Sequence, residues 1–407
     1  MNKYTFSDQV SLTMDIVWSD QSDAYLDHYH IHEMNCWRDL EPDSFLWQAL
    51  KQSEHPENTP VTCRANPGEL VPPYDRAKVI SLPGFRIQPA AVFDTLVPGR
   101  FYPQGLITGL PGVFRGNTNP FRCLEKNNRT FVADLNHPLA RFPLTVTLKN
   151  ITWDVTKKAE RGGSCMDWIP LALSGPGLQA GFSRWPDCFL TSRAFDRSDQ
   201  RPDDMFYQSD RFVHHIDGQA RQVLSDWYRS LFSSGRKLLD LMAAWASHLP
   251  GDLVFSEVHG LGMNAAELSA NRQLTGFSIQ DLNQNPVLAF PDNYFDAAVC
   301  SLSVEYLTDP VRVLTETARV VKPGGRVAVS FSNRWFPEKN IRIWEDLHEF
   351  ERMGLVLSWF RTSKAFERLS THSFRGYPRP EDDRYFPQLR LSDPVFGVTG
   401  IVKGAKT

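Results

Sequence analysis

The stretch KLLDLMAAWASHLP, residues 237–250, ends an apolar run on a carboxylate, Asp240, and then turns through small residues. A strand ending this way, followed by a tight loop, is how a doubly wound nucleotide-binding sheet brings its backbone up to a cofactor. Glycines normally make that approach; here Met242, Ala243, Ala244, Trp245 and Ala246 take their place. Other residues also have types and positions suited to chemistry. FYQSDRFVHHIDGQA carries His215 and Asp217. Either both line a substrate pocket, or Asp217 caps the helix starting near 218 and the histidines pack beside it. FSNRWFP sets Asn333 and Arg334 at the carboxyl end of a strand, a place for substrate contacts, with Trp335 and Phe336 as wall and core. HYHIH puts His28, His30 and His32 on one face of a strand at period two. Zinc would suit three imidazoles, but no other placed ligand accompanies them, so they read as a packed strand and no metal is expected.

The elements that must hold these residues change character along the chain. From 206 onward strands and helices alternate. QARQVLSDWYRSLF is an amphipathic helix with Val223, Trp227 and Leu231 on one face. Then come strands KLLDLM and LVFSEVHGLGM, helix AAELSANRQ, strands GFSIQDL and FDAAVCSLS, and helix DPVRVLTETARVV. That last helix aligns Val311, Leu314, Ala318 and Val321; the turn KPGG and the strand RVAVSFS follow. FERLSTHSFRG and PVFGVTGIVKG close the chain as an antiparallel pair. Such alternation predicts an α/β, doubly wound Rossmann-like domain over 206–407, with a parallel sheet that binds ligands at its strands' carboxyl ends.

FDAAVCSLSVEYLTDPVRVLTETARVVKPGGRVAVSFSNR, preceded by FPDNY, resembles a class I S-adenosylmethionine-dependent methyltransferase. The wider pattern is similar to a bacterial and plant group of methyltransferase-like proteins of undefined substrate. The resemblance implies S-adenosylmethionine as cofactor. It places Asp240, Met242, Ala244 and Trp245 at the methionine end and Gly260, Gly262 and Asn264 around the ribose. It puts Asp281 and Leu282 at the adenine, and Ser303 to Tyr306 facing the transferred methyl, with Glu305 and Tyr306 as catalytic residues. Gly262 stands where an acidic ribose ligand is usual, so Asn264 would substitute, at a cost of about 1.5–3 kcal/mol for the lost charge-assisted bond. His248 either touches the methionine carboxylate or is a polar helix residue.

Residues 1–153 are β-rich, with many turns. VSLTMDIVW and FPLTVTLKNITWD read as strands, the latter with Leu144, Val146 and Leu148 on one face, and DSFLWQALKQ as a short helix. VTCRANPGELVPPYDRAKVISLPGFRI, PGRFY and VADLNHPLARFPLTVTLKNI resemble a SlyD-type FKBP-like prolyl isomerase. That implies an α+β core at 8–66 and 139–153, an insert-in-flap subdomain at 67–138, and binding of peptide or protein. The family's Asp-Gly core signature is absent; Met14 falls near its tyrosine, and Leu46 or Trp47 would floor the pocket. Isomerase activity is therefore expected to be weak or absent. Residues 154–205 read as a connector packed on its neighbours.

The chain has 407 residues, enough for two to three domains, and a net charge of −3. That charge argues against a protein held to nucleic acid mainly by phosphates. MNKYTFSDQV shows no secretory signal, no run approaches the roughly 20 residues of a membrane span, and the six cysteines are scattered without CxxC. The expected location is cytoplasmic, with reduced thiols. The expected function is methyl transfer to an unknown protein or small molecule. The alternative is a chaperone-like or isomerase binding protein whose methyltransferase fold is a non-catalytic scaffold.

Overall fold

A computed structural model describes residues 8–20, 23–41, 43–51, 59–181, 184, 188–191 and 193–404. The stretch 1–7, read for a secretory signal, lies outside them. In chain order the strands are β1 (Asp8–Ser19), β2 (Ala24–Asn35), β3 (Val61–Ala65), β4 (Val79–Pro83), β5 (Phe101–Pro103), β6 (Pro120–Lys126), β7 (Thr130–Asp134), β8 (Leu144–Lys158), β9 (Lys237–Leu241), β10 (Glu257–Gly262), β11 (Gly276–Ile279), β12 (Phe295–Ser301), β13 (Val321–Phe331), β14 (Phe366–Arg375) and β15 (Val395–Val402). The helices are α1 (Cys36–Asp39), α2 (Phe45–Lys51), α3 (Ala90–Thr95), α4 (Trp168–Leu173), α5 (Asp203–Tyr207), α6 (Gly218–Leu231), α7 (Ala265–Ala270), α8 (Pro310–Val320), α9 (Arg342–Asp346) and α10 (Glu349–Ser363).

The carboxyl-terminal strands are apolar because both faces of their sheet are covered. Leu238, Leu239, Asp240 and Leu241 of β9 are all buried, as are Ala297 to Cys300 of β12. Parallel pairing runs β11-β10-β9-β12-β13, and β15 then pairs antiparallel with both β13 and β14. From β9 the chain winds outward to β10 and β11, then returns to β12 on the other side of β9. That reversal opens a crevice at the strands' carboxyl ends. Helix α6 lays Ala220, Val223, Leu224, Trp227 and Tyr228 against the sheet. Pro310 opens α8 and the Asp309 side chain caps it by accepting from Arg312 N. The expected KPGG turn is absorbed into the start of β13, where Gly324 takes φ +80°.

The amino-terminal region is β-rich, as expected. Val10, Leu12, Met14, Ile16 and Trp18 of β1 alternate inward. β1 pairs with β2 and β8, and β3 pairs with β8, all antiparallel. β2 also pairs in parallel with β14, from Ser370↔Ala24 to Arg375↔Tyr29. The two halves therefore share one sheet of eleven described strands. β4 to β7 form a separate four-stranded sheet around Phe121, Phe131, Ile87 and Ile107. Met14 and Leu46 are buried in the main core, and Trp47 packs against it. The connector packs closely: Ala172, Leu173, Leu178 and Gln179 are buried, and Arg375 donates to Ser174 O and Ala172 O. His28 bonds Asp15 at 2.6 Å and stacks on Phe374, while His30 stacks on Tyr377. The six cysteines are unpaired, four of them buried.

Candidate functional site

An open cavity of about 1,120 Å³, counted to its solvent mouth, lies in the crevice at the strand-order reversal. Enclosed small-molecule sites span about 300–1,000 Å³. Its floor is the loop after β9. Met242 takes φ +55°, the left-handed region that glycine occupies without strain, whereas Ala244 and Ala246 do not need it. Ala243 N donates to Leu261 O at 2.8 Å. Asn271 Nδ2 donates to Ala244 O and to Ser247 Oγ, both at 2.9 Å. Alanine leaves room for this close weave, so the glycine-poor loop is tied to β10 and to the residue that ends α7.

Asp240 sits beneath that loop, 1 % exposed, and its Oδ2 has no hydrogen-bond partner among the described residues. Burial pushes its carboxyl up to about 7, against the opposing pull of the Ser247 hydroxyl. A carboxylate held in this state is poised to receive a cation.

One wall comes from β10 and β11. Gly262, Met263 and Asn264 line it, followed by Glu267, Gln280, Asp281, Leu282 and Asn283. Asp281 accepts from Asn283 N and from Gln284 Nε2, both at 2.9 Å. The opposite wall is the end of β12, where Leu302 is strained at φ +54° and Ser303 opens the short turn carrying Tyr306. Phe336 N donates to the Tyr306 hydroxyl at 2.9 Å. The segment 203–215 arches over the mouth. Trp245 Nε1 donates to Val213 O at 3.1 Å, and the His214 ring stacks on Trp245 with centroids 4.4 Å apart. His215 meets Phe336 edge-on with its side chain exposed at the rim, and partial desolvation by its neighbours, aided by the Arg211 charge, holds its imidazole below the usual range, hence neutral at pH 7.

The structure thus gathers Asp240, Met242, Ala244, Trp245, Gly262, Asn264, Asp281, Leu282, Ser303, Tyr306, His215 and also His248 on one cavity. Five expected site residues are not on it, and a sixth is spent. Glu305 is fully buried on the β12 turn and does not line the cavity; neither carboxylate oxygen has a hydrogen-bond partner among the described residues, and burial raises its carboxyl to about 8. Gly260 is interior to β10, where a Cβ would strike Leu274. Asp217 is the cap: it accepts from Gln219 N and Ala220 N, and from Asp393 N. Arg334 pairs with Asp393 at 3.1 Å, and neither it nor Asn333 lines the cavity. Asn264 reaches the wall with its side chain committed, capping α7 through Glu267 N and donating to Tyr207 O and Asp210 Oδ1. Sequence reasoning missed Tyr207, Arg211, His214 and Glu267, all lining residues. The arch has no periodicity to reveal it, but Asn264-x-x-Glu267 at the start of α7 is a recognisable helix-start signature.

Residues 242–329 match the family model described as a methyltransferase domain. The chain is similar to ubiquinone/menaquinone biosynthesis C-methyltransferases. The relative from Chromobacterium violaceum is 25% identical over 178 residues, 41% of this chain and 70% of that protein. The one from Proteus mirabilis is 26% identical over 156 residues, 36% and 56%. The one from Burkholderia cenocepacia is 35% identical over 92 residues, 22% and only 37%. Among solved structures, an S-adenosylmethionine-dependent methyltransferase from Mesorhizobium loti overlays at 17% identity and a TM-score of 0.29, covering 43% of this chain and 96% of that one. Residues 242–329 thus resemble a methyltransferase domain, set on the strands and loops that line the cavity.

Proposed function

We propose that this chain is an S-adenosylmethionine-dependent methyltransferase whose acceptor is a small planar molecule entering under the 203–215 arch. The observation that carries the reading is the buried, half-unpartnered Asp240 on the cavity floor. It is a site for a cationic ligand, and the donor bears a sulfonium and an ammonium. When bound, the cofactor supplies an activated methyl group, so the protein's work is positioning and exclusion of water. Asp240 and the Met242–Ala246 loop hold the methionine end, while Asp281 and the buried Leu282 hold the adenine end. Tyr306, Tyr207 and Phe336 wall the acceptor side. His215 is neutral there and able to take a proton at its ring nitrogen.

The aromatic lining favours a planar acceptor over a charged protein side chain, and the similar C-methyltransferases are named for quinone biosynthesis. The test is conversion of labelled S-adenosylmethionine with a panel of phenols and quinols. Turnover that falls tenfold or more in His215→Ala supports the reading; no turnover with any member contradicts it.

A second reading concerns the amino-terminal region. Phe85 and Phe114 stand 71 % and 68 % exposed on the β4–β7 unit, an apolar surface able to hold extended polypeptide as the FKBP-like resemblance implies. Binding of an unfolded model peptide to the full chain, lost in a Phe85→Ser/Phe114→Ser variant, tests it. None of the described helices is long and apolar enough to cross a membrane.

A further inference from the structure

The donor's ribose presents two vicinal hydroxyls, and a carboxylate that accepts from both is their natural partner. The end of β10 offers none. Gly262 stands there because a Cβ would lie 2.2 Å from Ala243 O, so the loop that makes the floor forbids any side chain at that place. Asn264 is spent on its cap and on Tyr207 and Asp210.

Among the described residues four carboxylates line the cavity. Asp203 is saturated by Arg197 at 2.8 Å, Lys339 at 3.1 Å and Asn283 at 2.9 Å. Asp281 is assigned to the adenine end, and each of its oxygens already accepts a bond from the 283–284 turn. Asp240 lies on the floor. Glu267 remains. In an ordinary capping box its side chain would turn back to the Asn264 backbone. Its Oε1 accepts instead from Arg211 N at 2.7 Å, and no described residue donates to its Oε2. The residue is 8 % exposed and faces the cavity one turn beyond Gly262.

We propose that Glu267, rather than the end of β10 or Asn264, is the carboxylate that binds the ribose hydroxyls of the methyl donor. The inference rests on the methyltransferase reading above. It also gives the carboxylate a second task, since the oxygen bonded to Arg211 N pins the arch to α7 beside the bound ligand.

The experiment is calorimetric titration of the full chain with S-adenosylhomocysteine, then competition by adenosine and by 2′,3′-dideoxyadenosine. The wild type should prefer adenosine by about tenfold or more, the value of a charge-assisted hydrogen bond. Glu267→Gln keeps an acceptor for Arg211 N but places a donor where the diol needs an acceptor. It should shrink that preference at least fivefold with little change in melting temperature. Glu267→Asp is the second variant should the first not fold, and it should shrink the preference as well. Asn264→Ala should lower stability and leave the preference intact. A preference unchanged in both Glu267 variants, or lost in Asn264→Ala instead, overturns the assignment. A wild type that binds S-adenosylhomocysteine without preferring the diol overturns this inference alone, whereas one that binds no S-adenosylhomocysteine overturns the methyltransferase reading and the inference together.

Discussion

Asp240 shows how one residue carries both cost and function. Its carboxyl is raised from 3.8 to about 7 by burial. Between those values the folded chain binds a proton that the unfolded chain releases, so stability falls as pH rises through this window and levels off above about 7. Asp240→Asn removes that cost. The variant should melt higher than wild type at pH 8, by the equivalent of at most about 4 kcal/mol, with the gap closing toward pH 4; thermal scans at both pH values check it. A cationic ligand reverses the balance by favouring the carboxylate, so donor affinity in the wild type should climb as pH passes 7. Of the site, the acids at strand ends were legible because their position follows from strand length and the small-residue loop. Glu305 misled: being next to the right turn does not say which way a side chain points, and its neighbour Tyr306 faces the cavity instead.

At the scale of elements, packing of the β9 loop on β10 decides which residues the site can use. Gly262→Ala would press a methyl group onto Ala243 O. It should destabilise the chain by about 1–3 kcal/mol and weaken donor binding through the displaced loop, as urea unfolding and ligand titration would show. The alternation after residue 206 was readable because parallel strands and amphipathic helices differ in apolar period. Helix α10 was not, because Phe350 to Leu357, Trp359 and Phe360 are buried on all sides and leave no polar face to mark a period. The arch over the cavity was equally silent. Beyond α5 it is irregular chain, held by bonds such as Trp245 to Val213 and Arg211 to Glu267.

For the whole molecule, the sheet does not stop where the two sequence styles meet. β2 and β14 join them, and the seam is polar inside. Asp27 is 1 % exposed and accepts from Trp18 Nε1 at 3.0 Å and Ser373 Oγ at 2.8 Å, one donor from each half. No local pattern foretells such a pairing, because its partners lie some 350 positions apart along the chain. The four-stranded unit is fastened as well: Arg100 and Glu351 form a buried ion pair at 2.9 Å, and Phe101 N donates to the same carboxylate at 3.0 Å. Removing one partner strands the other charge, so Glu351→Ala should cost about 3–5 kcal/mol, read as a lower urea midpoint. Because α10 holds the clamp and packs beneath the sheet, the loss should appear in donor-site probes together with those of the β4–β7 unit.

Donor binding depends most on Asp240 and the Met242–Ala246 loop. Calorimetric titration of the full chain with S-adenosylhomocysteine at pH 8, beside Asp240→Ala, tests this directly. Micromolar binding in the wild type, weakened by at least about tenfold in the variant, is the predicted result. No heat and no thermal stabilisation of the wild type at millimolar ligand would contradict the account and leave the fold as a scaffold.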